Sequence, residues 1–203
     1  ADTVCVAPHG RDTITLDYEH EAAMAALTRA QTARDRLNGL LFDHAAQAWP
    51  KQWRRLQPMP MRFASWVGYD MDGRTDIGWM TSLRYRLIVK SQRLALYAAG
   101  LEAAAPQIAE RLARAGKLAA TMAEVFGGDL SSPAALSQAA DALTADHPDK
   151  LVSLSGVISE LEAEARHAEA DTDRALLVAA AAMRADGLGM GWIHFRVNSS
   201  QLA

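Results

Sequence analysis

The chain has few of the features that mark secreted and membrane-spanning proteins. Cys5 is its only cysteine, so no disulfide can form within the chain, and this suits a reducing compartment. The longest apolar run, residues 175–183, is far shorter than the roughly 20 residues that a transmembrane helix requires. The first residues show no signal-peptide pattern. These absences disfavour a disulfide-stabilised or membrane-spanning protein, and we expect a cytoplasmic location.

Aromatic residues are also scarce, at 6% of the chain, whereas alanine is abundant and half of the residues are hydrophobic. Alanine has the highest intrinsic helix propensity of all residues. The composition therefore favours close-packed helices over a β-sandwich or a disordered chain. We predict that residues 1–203 form a single, mainly α domain, a multi-helix bundle with one or two short β-strands.

Charge is distributed unevenly along the chain, although the formal net charge is only -3. Residues 51–93 contain nine Lys and Arg and three Asp, whereas residues 94–173 contain five Lys and Arg and thirteen acidic residues. Two interpretations stay open: the basic segment holds an anionic ligand, or the two segments pair with each other. Nucleic-acid binding is disfavoured, because the chain is acidic overall and does not interleave basic and aromatic residues.

Hydrophobic periodicity predicts helices along most of the chain. In the first helix, Leu27, Leu37 and Leu41 belong to the stripe that we expect to be buried, and Arg34 marks the wetter side. The predicted helices span residues 17–49, 51–56, 76–101, 106–126, 133–145, 149–170 and 173–185. Residues 192–197 alternate in polarity and predict a β-strand. A single strand is unstable, so we expect its partner near Val4 or on another chain.

The stretch from residue 65 to residue 75 interrupts this helical pattern. Glycine permits backbone angles that other residues resist, and Asp72-Gly73 is a strong turn signal. Charged turns between helices are frequent places for functional sites. The alternative interpretation is a capped helix start, with Thr75 or Asp76 as the N-cap and both aspartates in solvent. The residues of interest in this turn are Gly68, Asp70, Asp72, Gly73 and Arg74.

The sequence lacks the common catalytic and metal-binding motifs. No nucleophile–base pair, Gly-rich phosphate loop or Cys/His cluster at metal-binding spacing is present. Glu164 and His167 share a helix face, but one such pair is weak evidence for a metal, and we interpret both as surface residues. The predicted strand does carry Arg196, whose planar guanidinium matches carboxylate and phosphate oxygens. A phosphorylated carboxylic acid is the kind of ligand that such residues hold.

Two segments resemble motifs of phosphoenolpyruvate carboxylase. Residues Trp66–Thr75, WVGYDMDGRT, resemble the WIGGDRDGNP signature of that family. Residues Gly191–Ser200, GWIHFRVNSS, resemble its strand motif LDIRQES. Both lie in the family's order, separated by a helical stretch. The resemblance implies that the helices and strands are part of a larger carboxylase-like α/β-barrel fold.

The resemblance also implies a reaction and a set of site residues. The family joins bicarbonate to phosphoenolpyruvate and releases oxaloacetate and phosphate, with Mg²⁺ or Mn²⁺ orienting the substrate. Arg196 falls on the arginine of the strand motif, which implies a catalytic role. The substrate pocket would contain Asp70, Asp72, Gly73 and Arg74. The expected ligands are phosphoenolpyruvate and bicarbonate, the full-length protein is expected to be a homo-oligomer, and no metal ligand is expected in this chain.

The sequence also departs from the family pattern. Met71 stands where the signature has an arginine, and we hypothesise that Arg74 replaces it. The family's FHGRGG loop and its pair of metal-binding acids are absent from the 203 residues, so we expect a segment of a longer carboxylase chain that is inactive in isolation. The alternative is a non-catalytic helical scaffold or interaction domain that kept the carboxylase shape. A weaker option is a helical ligand-binding protein with an accidental resemblance.

Overall fold

The computed structural model describes residues 14–70 and 76–194, and these residues are mainly helical, as the composition predicts. Two short strands occur within these residues, one between the first two α-helices and one after the last helix. In chain order the elements are α1 (Leu16–Ala48), a 3-10 turn (Trp53–Arg55), β1 (Ala64–Ser65), α2 (Trp79–Leu101), α3 (Pro106–Val125), α4 (Pro133–Thr144), α5 (Ser155–Ala165), α6 (Ala170–Asp186) and β2 (Trp192–Ile193).

Helix starts follow local chemistry that the sequence makes visible. Helix α4 begins after Ser132, whose hydroxyl oxygen accepts a hydrogen bond from the Ala135 amide at 3.2 Å. Pro106 and Pro133 occupy the first turns of α3 and α4, where no amide donor is needed. These two predicted starts are confirmed.

Three helices begin elsewhere than predicted. Helix α2 has Gly78 as its N-cap with no side-chain capping bond, so the interpretation with Thr75 or Asp76 as the cap is wrong. Helix α5 begins at Ser155 rather than 149, because the Ser153 hydroxyl accepts the Ser155 amide in a local turn that competes with the helix. Helix α6 begins earlier than predicted, at Ala170, with Glu169 as its N-cap.

The buried face of α1 differs from the predicted one. Arg34 is only 1% exposed, whereas Leu40 on the opposite side is 57% exposed and Leu37 and Leu41 are also exposed. The buried residues repeat at helical spacing but are largely polar: His20, Met24, Gln31, Arg34, Asn38, Phe42 and Ala45. The prediction was wrong because it ranked side chains by hydrophobicity, whereas Arg34 has buried ionic partners on another helix.

The main hydrophobic core lies among α2, α3, α5 and α6. Helix α2 packs most extensively on α3 and α5 on α6, while α1 lies against α6. Fully buried leucines occupy the centre, and Phe42 of α1 joins them. In α5, Val157 and Leu161 are buried as the periodicity predicts, together with Leu154 just before the helix. No helix within the described residues is long and apolar enough to cross a membrane.

The two strands pair with each other in parallel. Ala64 lies opposite Trp192 and Ser65 opposite Ile193. The Trp192 amide donates to the Phe63 carbonyl and the His194 amide to the Ser65 carbonyl, each at 2.9 Å. Within the described residues, the C-terminal strand thus pairs with the segment just before the central turn, a partner that was not predicted; Val4 lies outside these residues. Sequence periodicity cannot find such a partner when the two strands are so far apart in the chain.

Candidate functional site

The chain turns immediately after β1. The amides of Tyr69 and Asp70 both donate to the Trp66 carbonyl, at 2.9 and 3.1 Å, and close the turn. Gly68 has a φ of +86°, which a residue with a side chain rarely adopts. A Cβ at this position would collide with the ring of Tyr85. The first half of the predicted turn is confirmed, and Gly68 is required there by both its backbone angle and its packing.

Helices α1 and α2 hold this turn in place. Ser82 donates its hydroxyl hydrogen to the Gly68 carbonyl at 2.7 Å. Tyr85 stacks on His20 with the ring centroids 4.1 Å apart, and its hydroxyl donates to Asp17 at 2.7 Å. Burial lowers the pKa of His20, and the nearby Asp17 carboxylate only partly opposes this effect. The turn is thus held by packed side chains of α1 and α2.

The carboxyl ends of β1 and β2 lie at one edge, because the two strands run in parallel. Half-buried Asp70 follows β1 through the turn, and exposed His194 follows β2 directly. Asp70 is the one predicted site residue that falls within the described residues. Asp72, Gly73, Arg74 and Arg196 lie outside them, as does Met71. Whether the predicted residues meet around a ligand therefore stays a prediction.

A small cavity lies beside the strand pair, against α2. Its volume is about 20 Å³, and it is lined by residues of both strands together with Tyr69 and Arg86. Tyr69 is 8% exposed, and its hydroxyl has no hydrogen-bond partner among the residues that the structure describes. Burial raises the pKa of Tyr69 to about 12, although the charge of Arg86 opposes the rise. The cavity therefore brings a neutral phenol and a cation next to the strand pair.

Replacing Tyr69 with Phe is expected to raise the free energy of unfolding by about 1 kcal/mol in a chloride buffer, because a buried hydroxyl without a partner is removed. Urea unfolding of the two proteins measures the change. The matched control is Tyr97→Phe. The Tyr97 hydroxyl donates to the Gly187 carbonyl at 3.0 Å, so this variant is expected to lose about 1 kcal/mol. Equal losses in both variants would contradict the prediction.

A buried ionic cluster joins α1, α2 and the end of α6. The Asp186 carboxylate accepts two hydrogen bonds from Arg34, at 2.7 and 2.8 Å, and one from Arg93 at 2.6 Å. Arg34 also donates to Asp35. The side chains of Arg34 and Asp186 have no exposed surface. Since Arg34 lies 5.8 Å from the centre of the Phe63 ring, just before β1, the cluster reaches the base of the strand pair.

Two of the larger cavities within the described residues involve α1. One of about 640 Å³ lies among α1, α2 and α6 and is lined by residues of both charges, including Asp35, Arg93 and Arg174. The other, of about 410 Å³, lies between the start of α1 and the turn after β1, and is lined by Trp66 and Asp70. The second cavity is next to the predicted site and leaves room for a ligand beside the turn.

Sequence reasoning missed the residues beneath the strand pair. It assigned Arg34 to the wet side of α1, and it counted Arg86 and Arg93 only among the nine basic residues of segment 51–93. A signal was available: Gln31, Arg34 and Asn38 fall on the same helical stripe as Met24, Phe42 and Ala45. A polar run within such a stripe indicates buried polar partners.

Comparisons with known proteins identify no relative. The chain matches no family model, no characterised protein and no solved structure. The function is therefore argued from the residues and their arrangement.

Proposed function

We propose that this chain is a segment of a phosphoenolpyruvate carboxylase and contributes part of its substrate pocket. The observation that carries the proposal is the parallel pairing of Ala64–Ser65 with Trp192–Ile193. The first motif segment, Trp66–Thr75, follows β1 directly, and the second, Gly191–Ser200, contains β2, so the pairing brings the two segments to the same strand pair. The paired residues are 128 positions apart in the chain, so local sequence alone does not account for this proximity.

The proposed chemistry assigns each residue a role. Arg196 stabilises the negative charge that develops as the phosphoryl group moves from phosphoenolpyruvate to bicarbonate, since a guanidinium matches phosphate oxygens in geometry and charge. Asp70, Asp72, Gly73 and Arg74 line the pocket and shape the turn. The products are oxaloacetate and phosphate. In this proposal the full-length enzyme is a cytoplasmic homo-oligomer.

A metal is a part of the family chemistry for which the described residues offer no site. Within residues 14–70 and 76–194, no group of three or more His, Cys, Asp or Glu side chains could hold an ion. The family's Mg²⁺ or Mn²⁺ does not fit the described residues, so no step here passes through it. What these residues contribute is the position of the turn and strand that hold the anionic substrate.

The test is an Arg196→Ala change in the carboxylase that contains this segment, with oxaloacetate formation as the readout. We expect kcat/KM to fall at least about tenfold, because a charge-assisted contact to the transferring group is lost. Circular dichroism should be unchanged. The control, Arg166→Ala, removes an exposed arginine at the end of α5 and should leave turnover as it was.

Near-normal turnover of the Arg196→Ala enzyme would remove Arg196 from the mechanism. No oxaloacetate from the unmodified full-length protein would reject the carboxylase itself. That second result would favour the alternative, a helical scaffold or interaction domain without catalysis.

A further inference from the structure

We propose that Arg86 and Tyr69 form a binding site for a small oxyanion, with one anion oxygen in the cavity between α2 and the strand pair. The site lies outside the residues that the carboxylase resemblance assigns. The site depends on two side chains within the described residues and does not require the chain to be a carboxylase.

The first observation is the missing counter-charge of Arg86. This side chain is half-buried, yet the ion pairs of the described residues do not include it. By contrast, the buried Arg34 and Arg93 both bond to Asp186. Taking a cation out of water without a partner is unfavourable, so a half-buried arginine of this kind is a site where an anion gains binding energy.

A second cation makes the same surface more positive. Lys90 lies one turn beyond Arg86 on α2 and is also half-buried without an ion pair in the described chain. Burial lowers the pKa of Lys90, and the charges of Arg86 and Lys150 lower it further. Like charges four residues apart on a helix repel each other. A bound anion would relieve this repulsion.

The second independent observation is the hydroxyl of Tyr69. This side chain is nine-tenths buried, lines the same cavity as Arg86 and has no hydrogen-bond partner within the described residues. Burial keeps the phenol neutral, so it retains a hydrogen to donate. A buried donor beside an unpaired guanidinium is the combination that binds a carboxylate or phosphate oxygen.

Geometry sets the size of the group that enters. The cavity volume of about 20 Å³ is enough for one water-sized group. Gly189 leaves the space for the guanidinium, because a Cβ there would lie 2.5 Å from an Arg86 Nη atom. The fitting ligand class is therefore an oxyanion that inserts a single oxygen, such as a carboxylate or phosphate, with the remainder of the molecule outside the cavity.

The experiment titrates this chain with sodium formate, sodium phosphate or sodium chloride at equal ionic strength and follows Tm. A ligand that binds only the folded chain raises Tm with its concentration. We expect at least one oxyanion to raise Tm beyond the effect of chloride. A rise in Tm with formate assigns the ligand to the carboxylates, and a rise in Tm with phosphate assigns it to the phosphates.

Variants of the two proposed residues test whether the Tm response to oxyanions depends on them. Arg86→Gln is expected to weaken the oxyanion affinity by at least about tenfold. Tyr69→Phe should weaken it several-fold while the chain stays folded. Arg29→Gln, which removes one charge from an exposed position on α1, should leave it unchanged. If Arg86→Gln unfolds the chain, the oxyanion affinity is measured with Arg86→Lys and Tyr69→Phe instead, because both substitutions keep the buried volume.

Two results would overturn the site: equal Tm responses to all three anions in the unmodified chain, or an unchanged oxyanion response in the Arg86 and Tyr69 variants. These results do not bear on turnover. Conversely, an Arg196 experiment that rejects the carboxylase proposal would not affect oxyanion binding in this chain. The two failures are therefore distinguishable.

Discussion

Replacing Asp186 with Asn is expected to lower the free energy of unfolding by about 3–5 kcal/mol, the cost of breaking a buried ion pair by removing one partner. Asp186 is the shared partner of Arg34 and Arg93, at contact distances of 2.6–2.8 Å. Asparagine keeps the shape but not the charge, so Arg93 loses its ionic partner and Arg34 keeps only Asp35. Urea unfolding of the chain measures the loss.

The matched control is Glu160→Gln, which removes the carboxylate of an exposed pair with Arg111 at 2.6 Å. Exposed pairs contribute roughly 0–1 kcal/mol, so this variant should be nearly as stable as the unmodified chain. A triple variant, Arg34→Met, Arg93→Met and Asp186→Leu, replaces the cluster with apolar side chains and should regain much of the loss. A loss below about 1 kcal/mol in Asp186→Asn would refute the role of the cluster.

Gly191→Ala is expected to lower the free energy of unfolding by about 2–4 kcal/mol, from backbone strain and a lost ladder bond together. Gly191 has a φ of +110°, and a Cβ there would collide with the Phe63 carbonyl oxygen. That oxygen accepts the Trp192 amide, so the strands must separate to admit the methyl group. Amide hydrogen exchange at Trp192 and His194 should become faster, because both amides donate across the pair.

Gly187→Ala separates the two causes. Gly187 has a φ of +63°, but a Cβ there meets nothing within 4 Å. The Gly187→Ala variant should lower the free energy of unfolding by about 1–3 kcal/mol through backbone strain alone, and amide exchange at Trp192 should stay slow. If Gly187→Ala accelerates exchange at Trp192 as much as Gly191→Ala does, the collision with Phe63 does not decide the pairing. In a full-length carboxylase, Gly191→Ala should also reduce turnover, because it disrupts the edge that the two motif segments share.

These effects follow from a fold in which the strand pair and the ionic cluster support each other. Helix α6 ends at Asp186, and β2 follows six residues later. Arg34 bonds to Asp186 and also contacts the Phe63 ring beside β1. The cluster therefore fixes the end of α6 near the start of both strands. A loss of charge balance at Asp186 is expected to loosen the edge on which the proposed site depends.

Much of the helical content could be predicted from the sequence. Ser132 acts through a hydroxyl that caps the helix three residues on, and the two prolines act through their fixed backbone angle, so the starts of α3 and α4 depend on neighbours within four residues. The stripe of α5 is apolar throughout, and its burial follows from periodicity alone. The turn after β1 was also predictable, because Gly68 and the residues around it carry the turn signal locally.

The sequence by itself therefore determined most of the helical content, the first half of the turn and the apolar face of α5, since each of these arises from residues close together in the chain. Only the tertiary structure decided that Arg34 is buried, that residues 64 and 65 pair with residues 192 and 193, and that Tyr69 shares a cavity with Arg86. The physical reason is that burial of a charge and pairing of parallel strands depend on partners more than 100 residues away. No local propensity contains that information.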